Sequence, residues 1–274
     1  MVYTVKKKLI AIDMDGTLLN KQKQISIANL EALKEAADHG IRIVLASGRP
    51  LTGLKPYLKQ LGLWQKQEFS ITLSGATVQQ NKTNKTFAQN AMEFKAYQRF
   101  YNFSQRHNCH IQIQNNHSLY TTDSTLSHWT TREGKMNLQQ INQVKLAEIE
   151  ALKDVYKMQL IAEPEDIERL FNKISPEVKS LYQVLRQERY AVDVLAPEAG
   201  KGNALTQLCE LLNIPIEQTM AIGDGTNDLS MLKTAGLSVA MKNGKDVVKE
   251  TADEITDSND NDGVAKAIRK FVLK

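Results

Sequence analysis

Residues 9–12 read Leu-Ile-Ala-Ile and stop at Asp13, a short apolar run of the kind that a strand buried on both faces requires. The pattern recurs. Residues 41–46 form a β-branched apolar run closed by Ser47-Gly48, and 69–73 form another closed by Ser74-Gly75. Between the first two, Ser26 is placed to cap a helix with apolar positions Ile27, Leu30 and Leu33, stopped by Gly40. Pro50 suits the first turn of a helix running to Leu61-Gly62. The last third repeats the rhythm: helix 203–212, strand 219–222 ending at Gly223-Asp224, helix 228–234, strand 237–241, and helices 245–251 and 264–271. Strands alternating with helices predict βαβ units and an α/β fold with a Rossmann-like parallel sheet. Ligands of such sheets collect outside the carboxyl ends of the strands, where Asp13, Ser47 and Asp224 all fall.

The middle of the chain has a different character. It is richer in Gln, Asn, Thr and His, with amphipathic strand patterns at Ile111 and Ile113 and at Tyr156, Met158 and Leu160. Helical patterns over 93–106 and 165–173 lie between them. At 274 residues the chain is long enough for a core and a smaller companion. The expected division is a catalytic core of 1–82 and 193–274 with an inserted α+β cap domain of 83–192, able to pack as a lid over the strand ends.

Asp13-Met14-Asp15-Gly16-Thr17 is the sharpest chemical signal. Two carboxylates two positions apart at a strand exit can converge on one small volume, which favours a hard cation and raises a carboxyl pKa. One can attack phosphorus while the other gives a proton to the leaving oxygen. An Asx turn explains the same residues without chemistry. Asp224 and Asp228, in Gly223-Asp224-Gly225-Thr226-Asn227-Asp228, also follow an apolar strand and open a helix. Their spacing of four lets both face one ion, and an oxygen-only donor set selects Mg²⁺. Read structurally, Asp224 is a capping residue and Asp228 a solvated first-turn acid. Ser47 in Ser47-Gly48-Arg49 ends a strand, where its hydroxyl and nearby N–H groups can hold phosphate oxygens. Lys201 sits at a helix start, unfavourable for a cation unless an anion or carboxylate lies nearby. Leu195 and Gly202 stand where a P-loop needs glycine and Ser or Thr.

In that order, Asp13-x-Asp15-Gly16-Thr17, Ser47, Lys201 and Gly223-Asp224-Gly225-x-Asn227-Asp228 resemble the four motifs of the haloacid dehalogenase (HAD) superfamily. The insert between the second and third motifs resembles the Cof-type subgroup with its class IIB cap. The resemblance spans the whole chain, through Asp253-Glu254-Ile255-Thr256 and Asn259–Asn261 to Asp262-Gly263-Val264. It implies a Mg²⁺-dependent phosphatase in which Asp13 is the nucleophile that forms an aspartyl-phosphate and Asp15 the acid, then the base. It further implies that Mg²⁺ binds the Asp13 carboxylate, the Asp15 carbonyl and Asp224, with Asp228 helping directly or through water. Ser47, Gly48, Arg49, Lys201 and Asn227 would surround the phosphoryl group. The substrate would be a small phosphorylated metabolite of the sugar phosphate or pyridoxal phosphate class. Two departures stand out: Ser74 replaces the usual Asn, and Lys242 replaces a usual Gly.

Other functions fit less well. A net charge of +4 spread along the chain does not point to nucleic acid, and the run Lys6-Lys7-Lys8 reads as a solvated strand entry. No stretch approaches the roughly 20 apolar residues of a membrane span, and 9–12 is shorter than a signal h-region of about 7–15. Cys109 and Cys209 form no disulfide framework and suit a reducing, cytoplasmic compartment. His107, Cys109, His110, His117 and His128 match no zinc spacing; residues 257–263 miss the calcium-loop register; Trp64 and Trp129 read as packing residues. A phosphomutase shares the Asp-x-Asp start. A non-catalytic phosphometabolite sensor would have lost Asp13, Asp15, Asp224 or Lys201, and all four are present.

Overall fold

A computed structural model describes residues 6–186 and 188–273. The chain opens with β1 (Leu9–Ile12), α1 (Ile27–Asp38), β2 (Arg42–Ala46), α2 (Leu51–Gln60), β3 (Phe69–Thr72), β4 (Thr77–Gln80) and β5 (Thr86–Gln89). There follow α3 (Phe94–His107), β6 (His110–Gln114), β7 (Ser118–Thr121), α4 (His128–Asn137), β8 (Gln140–Gln143), α5 (Leu146–Glu150) and β9 (Lys157–Ile161). Next come α6 (Pro164–Lys173), α7 (Pro176–Leu181), β10 (Gln183–Leu185) and β11 (Ala191–Leu195). The chain closes with α8 (Lys201–Leu212), β12 (Thr219–Gly223), α9 (Leu229–Thr234), β13 (Ser238–Ala240), α10 (Asp246–Thr251), β14 (Glu254–Ile255) and α11 (Gly263–Phe271).

Two compact units result. One holds the chain up to Gly48, Leu54–Ala88 and the chain from Gly200 onward; the other holds Arg49–Gly53 and Gln89–Ala199. The division therefore falls near 89 and 199 rather than at 83 and 192, because the polar strand β5 extends the first unit's sheet and β11 belongs to the second.

The first unit is built on an eight-stranded sheet of order β14-β13-β12-β1-β2-β3-β4-β5. Five neighbouring pairs, from β14 to β3, are parallel, and β4 returns antiparallel on β3. The buried runs that form β1, β2, β3 and β12 are the apolar runs of the sequence, so a Rossmann-like core follows from their composition. From β1 the chain goes to β2 on one side and returns to β12 on the other. The carboxyl ends of β1 and β12 thus meet at a switch point, the place where α/β sheets bind ligands. Ile12 pairs with Ile222, and Asp13 N–H donates to the Ile222 carbonyl at 3.0 Å, which puts the two acidic loops side by side.

Two local expectations need correction. Ser26 caps α1 by accepting from Asn29 N–H at 3.2 Å, but Ile27 is 75 % exposed and the buried face is Asn29, Ala32, Leu33 and Ala36. Asn29 turns inward because its Oδ1 accepts from Ala265 N–H, at 2.9 Å, on α11. Lys7 is not solvated: it is buried with Nζ donating to the Glu217 carbonyl at 2.9 Å.

The second unit carries a six-stranded sheet of order β10-β11-β9-β6-β7-β8, antiparallel except for β7 with β8. Its central strands are buried on both faces, not on one. The polar face survives burial through a relay in which Gln112 Nε2 donates to Gln159 Oε1 (2.6 Å) and Gln159 Nε2 donates to Asp193 Oδ1 (2.8 Å). Trp129 stacks on Tyr190 with ring centroids 4.3 Å apart, a packing role, and His110 Nδ1 sits 3.0 Å from Asp123.

Candidate active site

Past β1 the chain turns tightly: Leu18 N–H donates to the Asp13 carbonyl (3.2 Å) and Leu19 N–H to the Met14 carbonyl (2.9 Å). Gly16 makes this possible at φ 92, and a side chain there would run into the Asp224 carboxylate. Thr17 Oγ1 then donates to Asp224 Oδ1 at 2.7 Å. The loop after β1 is thereby tied to the loop after β12.

Lys201 joins the same centre from the first position of α8. Its ammonium is fully buried, with Nζ 2.5 Å from Asp13 Oδ1 and 2.5 Å from Asp228 Oδ1. A cation at a helix start opposes the helix dipole; two carboxylates within hydrogen-bond reach account for it. Asp228 is not a solvated acid. It is buried, and its second oxygen accepts from Asp224 N–H (3.0 Å) and Gly225 N–H (2.9 Å), because a single 3₁₀ turn over Thr226–Asp228 folds it back before α9 begins.

One carboxylate oxygen from each of Asp13, Asp224 and Asp228 lies within 4.8 Å of the others. Asp15 takes another direction: its Oδ1 is 2.6 Å from Lys23 Nζ and its side chain is 31 % exposed. Four carboxylates against the ammonium groups of Lys201 and Lys23 leave a twofold negative charge, which a divalent ion matches. Electrostatics agree. Burial and the charge of Asp228 hold the Asp13 carboxyl well above the usual carboxylate range despite Lys201. Burial and Asp228 likewise push Asp224 to about 6, against the Thr17 hydrogen bond. For Lys201, burial lowers the pKa, but Asp13 and Asp228 outweigh it and hold the ammonium above its ordinary range. Oxygen-only donors whose protons are poorly held off without a positive charge fit a hard divalent cation.

The remaining candidate residues are placed as follows. Ser47 is buried at the end of β2, its N–H bonded to the Ile71 carbonyl (2.9 Å) and its carbonyl accepting from Ser74 N–H (2.9 Å). Gly48 follows it in the first unit, whereas the buried Arg49 groups with the second. Asn227 is part of the 3₁₀ turn and half-buried, its amide oxygen close to Gly225.

Ser74-Gly75-Ala76 turns out to support the lysine. Leu73, Ser74 and Gly75 all have positive φ (50, 58 and 87), a region that Asn enters more readily than serine. A side chain on Gly75 would strike the Gly200 carbonyl and Lys201 N. Gly75→Ala is expected to cost at least about 2 kcal/mol, from the left-handed backbone plus the collision. A urea midpoint equal to wild type would contradict this contact.

Sequence reasoning missed two asparagines. Asn243 Nδ2 donates to the Gly16 carbonyl (2.8 Å), and its Oδ1 accepts from Asn259 N–H (2.9 Å). Asn259 Nδ2 in turn donates to the Leu19 carbonyl (2.8 Å). Together they brace the loop after β1 from the far end of the chain. Asn243 follows Lys242, which was read only for its replaced glycine, and Asn259 opens the 259–261 run, which was read only as part of the family resemblance.

Among known proteins, the family model described as haloacid dehalogenase-like hydrolase matches residues 10–268. The chain is 35 % identical over 272 residues to a Bacillus subtilis (strain 168) protein named 5-amino-6-(5-phospho-D-ribitylamino)uracil phosphatase YcsE, covering 97 % of this chain and 96 % of that one. A haloacid dehalogenase-like hydrolase from Bacteroides thetaiotaomicron has a solved structure at TM-score 0.84 and 31 % identity, covering 97 % of this chain and 99 % of that one. The HAD subclass IIB sugar phosphatase BT4131 superposes at TM-score 0.82 with 25 % identity, over 97 % of this chain and 99 % of that one.

Proposed function

The chain belongs to the haloacid dehalogenase-like hydrolase family, and from that premise we propose that it is a Mg²⁺-dependent phosphatase of small phosphorylated metabolites. The observation that carries this reading is the buried Lys201 ammonium holding Asp13 and Asp228 beside Asp224. A carboxylate in that place is held against its cation-binding neighbours, ready to meet a phosphate. A sensor that only bound its ligand would not need Asp15 at the loop after β1.

Asp13 attacks the phosphorus; the ester P–O bond breaks and an acyl phosphate forms on the Asp13 oxygen. Asp15 gives its proton to the departing alkoxide. It then takes a proton from water, whose oxygen attacks the same phosphorus, releasing inorganic phosphate and restoring the Asp13 carboxylate. Ser47 and Lys201 hold the phosphoryl oxygens, with Gly48 and Asn227 beside them. Asp13, Asp224, Asp228 and the Asp15 carbonyl would hold the metal, whose charge offsets the repulsion between carboxylate and phosphate. Both cysteines are free, which supports a reducing, cytoplasmic setting.

Phosphate release from a panel of sugar phosphates, pyridoxal phosphate and nucleotide-precursor phosphates, with and without Mg²⁺, tests this reading. Release is expected to require the metal. Metal binding needs deprotonated ligands, so apparent Mg²⁺ affinity is expected to rise with pH as Asp224 loses its proton near about 6. The sign for stability is opposite in metal-free protein. Asp224 is raised in the fold, so its contribution is full below the ordinary carboxylate range and is lost as pH rises through about 6; Asp13, also raised, acts in the same direction. Added Mg²⁺ restores it, as thermal unfolding at about pH 5 and about pH 8 would show. Metal-independent turnover, or a Mg²⁺ affinity that falls as pH rises, contradicts the reading.

A further inference from the structure

Residues 20–24 form a turn built for one side chain. Asn20 N–H donates to the Gln24 carbonyl (3.0 Å) and Lys23 N–H to the Asn20 carbonyl (2.9 Å). Asn20 Oδ1 also accepts from Gln22 N–H (3.0 Å) and Gln24 N–H (2.9 Å), and Tyr57 Oη donates to the Lys23 carbonyl at 3.2 Å. Lys23 sits in the left-handed region at φ 58, where Asn or Gly would fit with less strain. What lysine adds there is an ammonium aimed backward, 2.6 Å from Asp15 Oδ1. Lys21, two positions earlier, points elsewhere: it is 81 % exposed and pairs with Asp260 at 3.0 Å.

This contact bears on the reading above, in which Asp15 delivers a proton to the leaving oxygen. A general acid works at about 2.6–3.2 Å from the oxygen it protonates. An ammonium already hydrogen-bonded to that carboxyl therefore stands about two hydrogen bonds from the leaving oxygen, beside the first few atoms of the leaving alcohol. While Lys23 holds Asp15 Oδ1, that oxygen is engaged, and an acceptor that draws the ammonium away releases it. A neutral alcohol offers a weak competitor for an ammonium–carboxylate contact; an anion offers an equal one.

We propose that Lys23 is a specificity-determining residue that moves from Asp15 to an anionic group, a carboxylate or second phosphate, carried a few bonds beyond the ester oxygen of the substrate. The preferred phosphomonoesters are then those whose alcohol part is itself negatively charged. The proposal rests on the phosphatase reading, and its test separates the two.

Competition against p-nitrophenyl phosphate turnover gives an apparent affinity for any phosphomonoester, whether or not it is hydrolysed. The probes are 3-phosphoglycerate, with an anionic alcohol part, and glycerol 3-phosphate, with a neutral one of equal chain length. Wild type is expected to favour 3-phosphoglycerate. In Lys23→Gln the ratio of the two affinities is expected to shrink about tenfold, the scale of one partly exposed charged hydrogen bond, while Lys23→Arg keeps it. The same ratio in wild type and Lys23→Gln, including an equal loss for both probes, overturns the proposal, as does a wild type without the preference. Failure of the phosphatase reading shows separately, as wild type that releases no p-nitrophenol.

Discussion

Asp13→Asn is expected to lower phosphate release at least about 10³-fold, because an amide cannot form the acyl phosphate. The substitution keeps the volume, and the amide oxygen can still accept from Lys201, whose Nζ lies 2.5 Å from Asp13 Oδ1. Folding is therefore expected to survive, so the loss reads on chemistry. The charge removed also belongs to the trio within 4.8 Å that fits a cation, so Mg²⁺ affinity should fall alongside. Steady-state phosphate release with a matched unfolding curve checks both. Turnover within tenfold of wild type would remove Asp13 from the role of nucleophile.

Lys201→Met is expected to be strongly destabilising. The side chain is fully buried between Asp13 and Asp228, and methionine replaces its length but not its charge. Two carboxylates would then face each other without a counter-ion, and breaking a buried pair in this way costs about 3–5 kcal/mol. Asp13, already held above the ordinary range by burial and Asp228, can take up a proton at low pH. The loss should therefore be smaller at about pH 5 than at about pH 8, the sign expected when the unpaired group must stay charged. Urea unfolding at the two pH values measures it. A wild-type midpoint at the higher pH would show that the ammonium contributes nothing to stability.

How much of this was written in the residue order differs by element. The strands that carry the acids were legible because a strand buried on both faces must be continuously apolar, as β1 and β12 are. The convergence of Asp13 and Asp224 followed once those strands were neighbours. Strands β4 and β5 escaped notice because Thr-Val-Gln-Gln and Thr-Phe-Ala-Gln lack an apolar run, and that hid where the insert begins. Helix α1 was found from Ser26, yet its buried face was misjudged, since Asn29 is turned inward by a partner on α11 some 236 positions away. Asn243, Asn259 and Lys23 act through contacts that neither periodicity nor local motif encodes. The buried Gln112–Gln159–Asp193 relay was equally silent, because glutamine on a strand reads as a solvated face.

The central claim is covalent: the phosphoryl group passes through the carboxylate after β1. With p-nitrophenyl phosphate, whose leaving group departs without needing a proton, Asp15→Asn can still form the acyl phosphate but lacks the base for the second half-reaction, so the intermediate should accumulate. Phosphopeptide mapping of this variant, quenched after incubation with Mg²⁺ and that ester, is predicted to find one phosphoryl group on the peptide that contains Asp13. A phosphoryl group on another residue, or rapid turnover with no labelled peptide at all, would contradict the account.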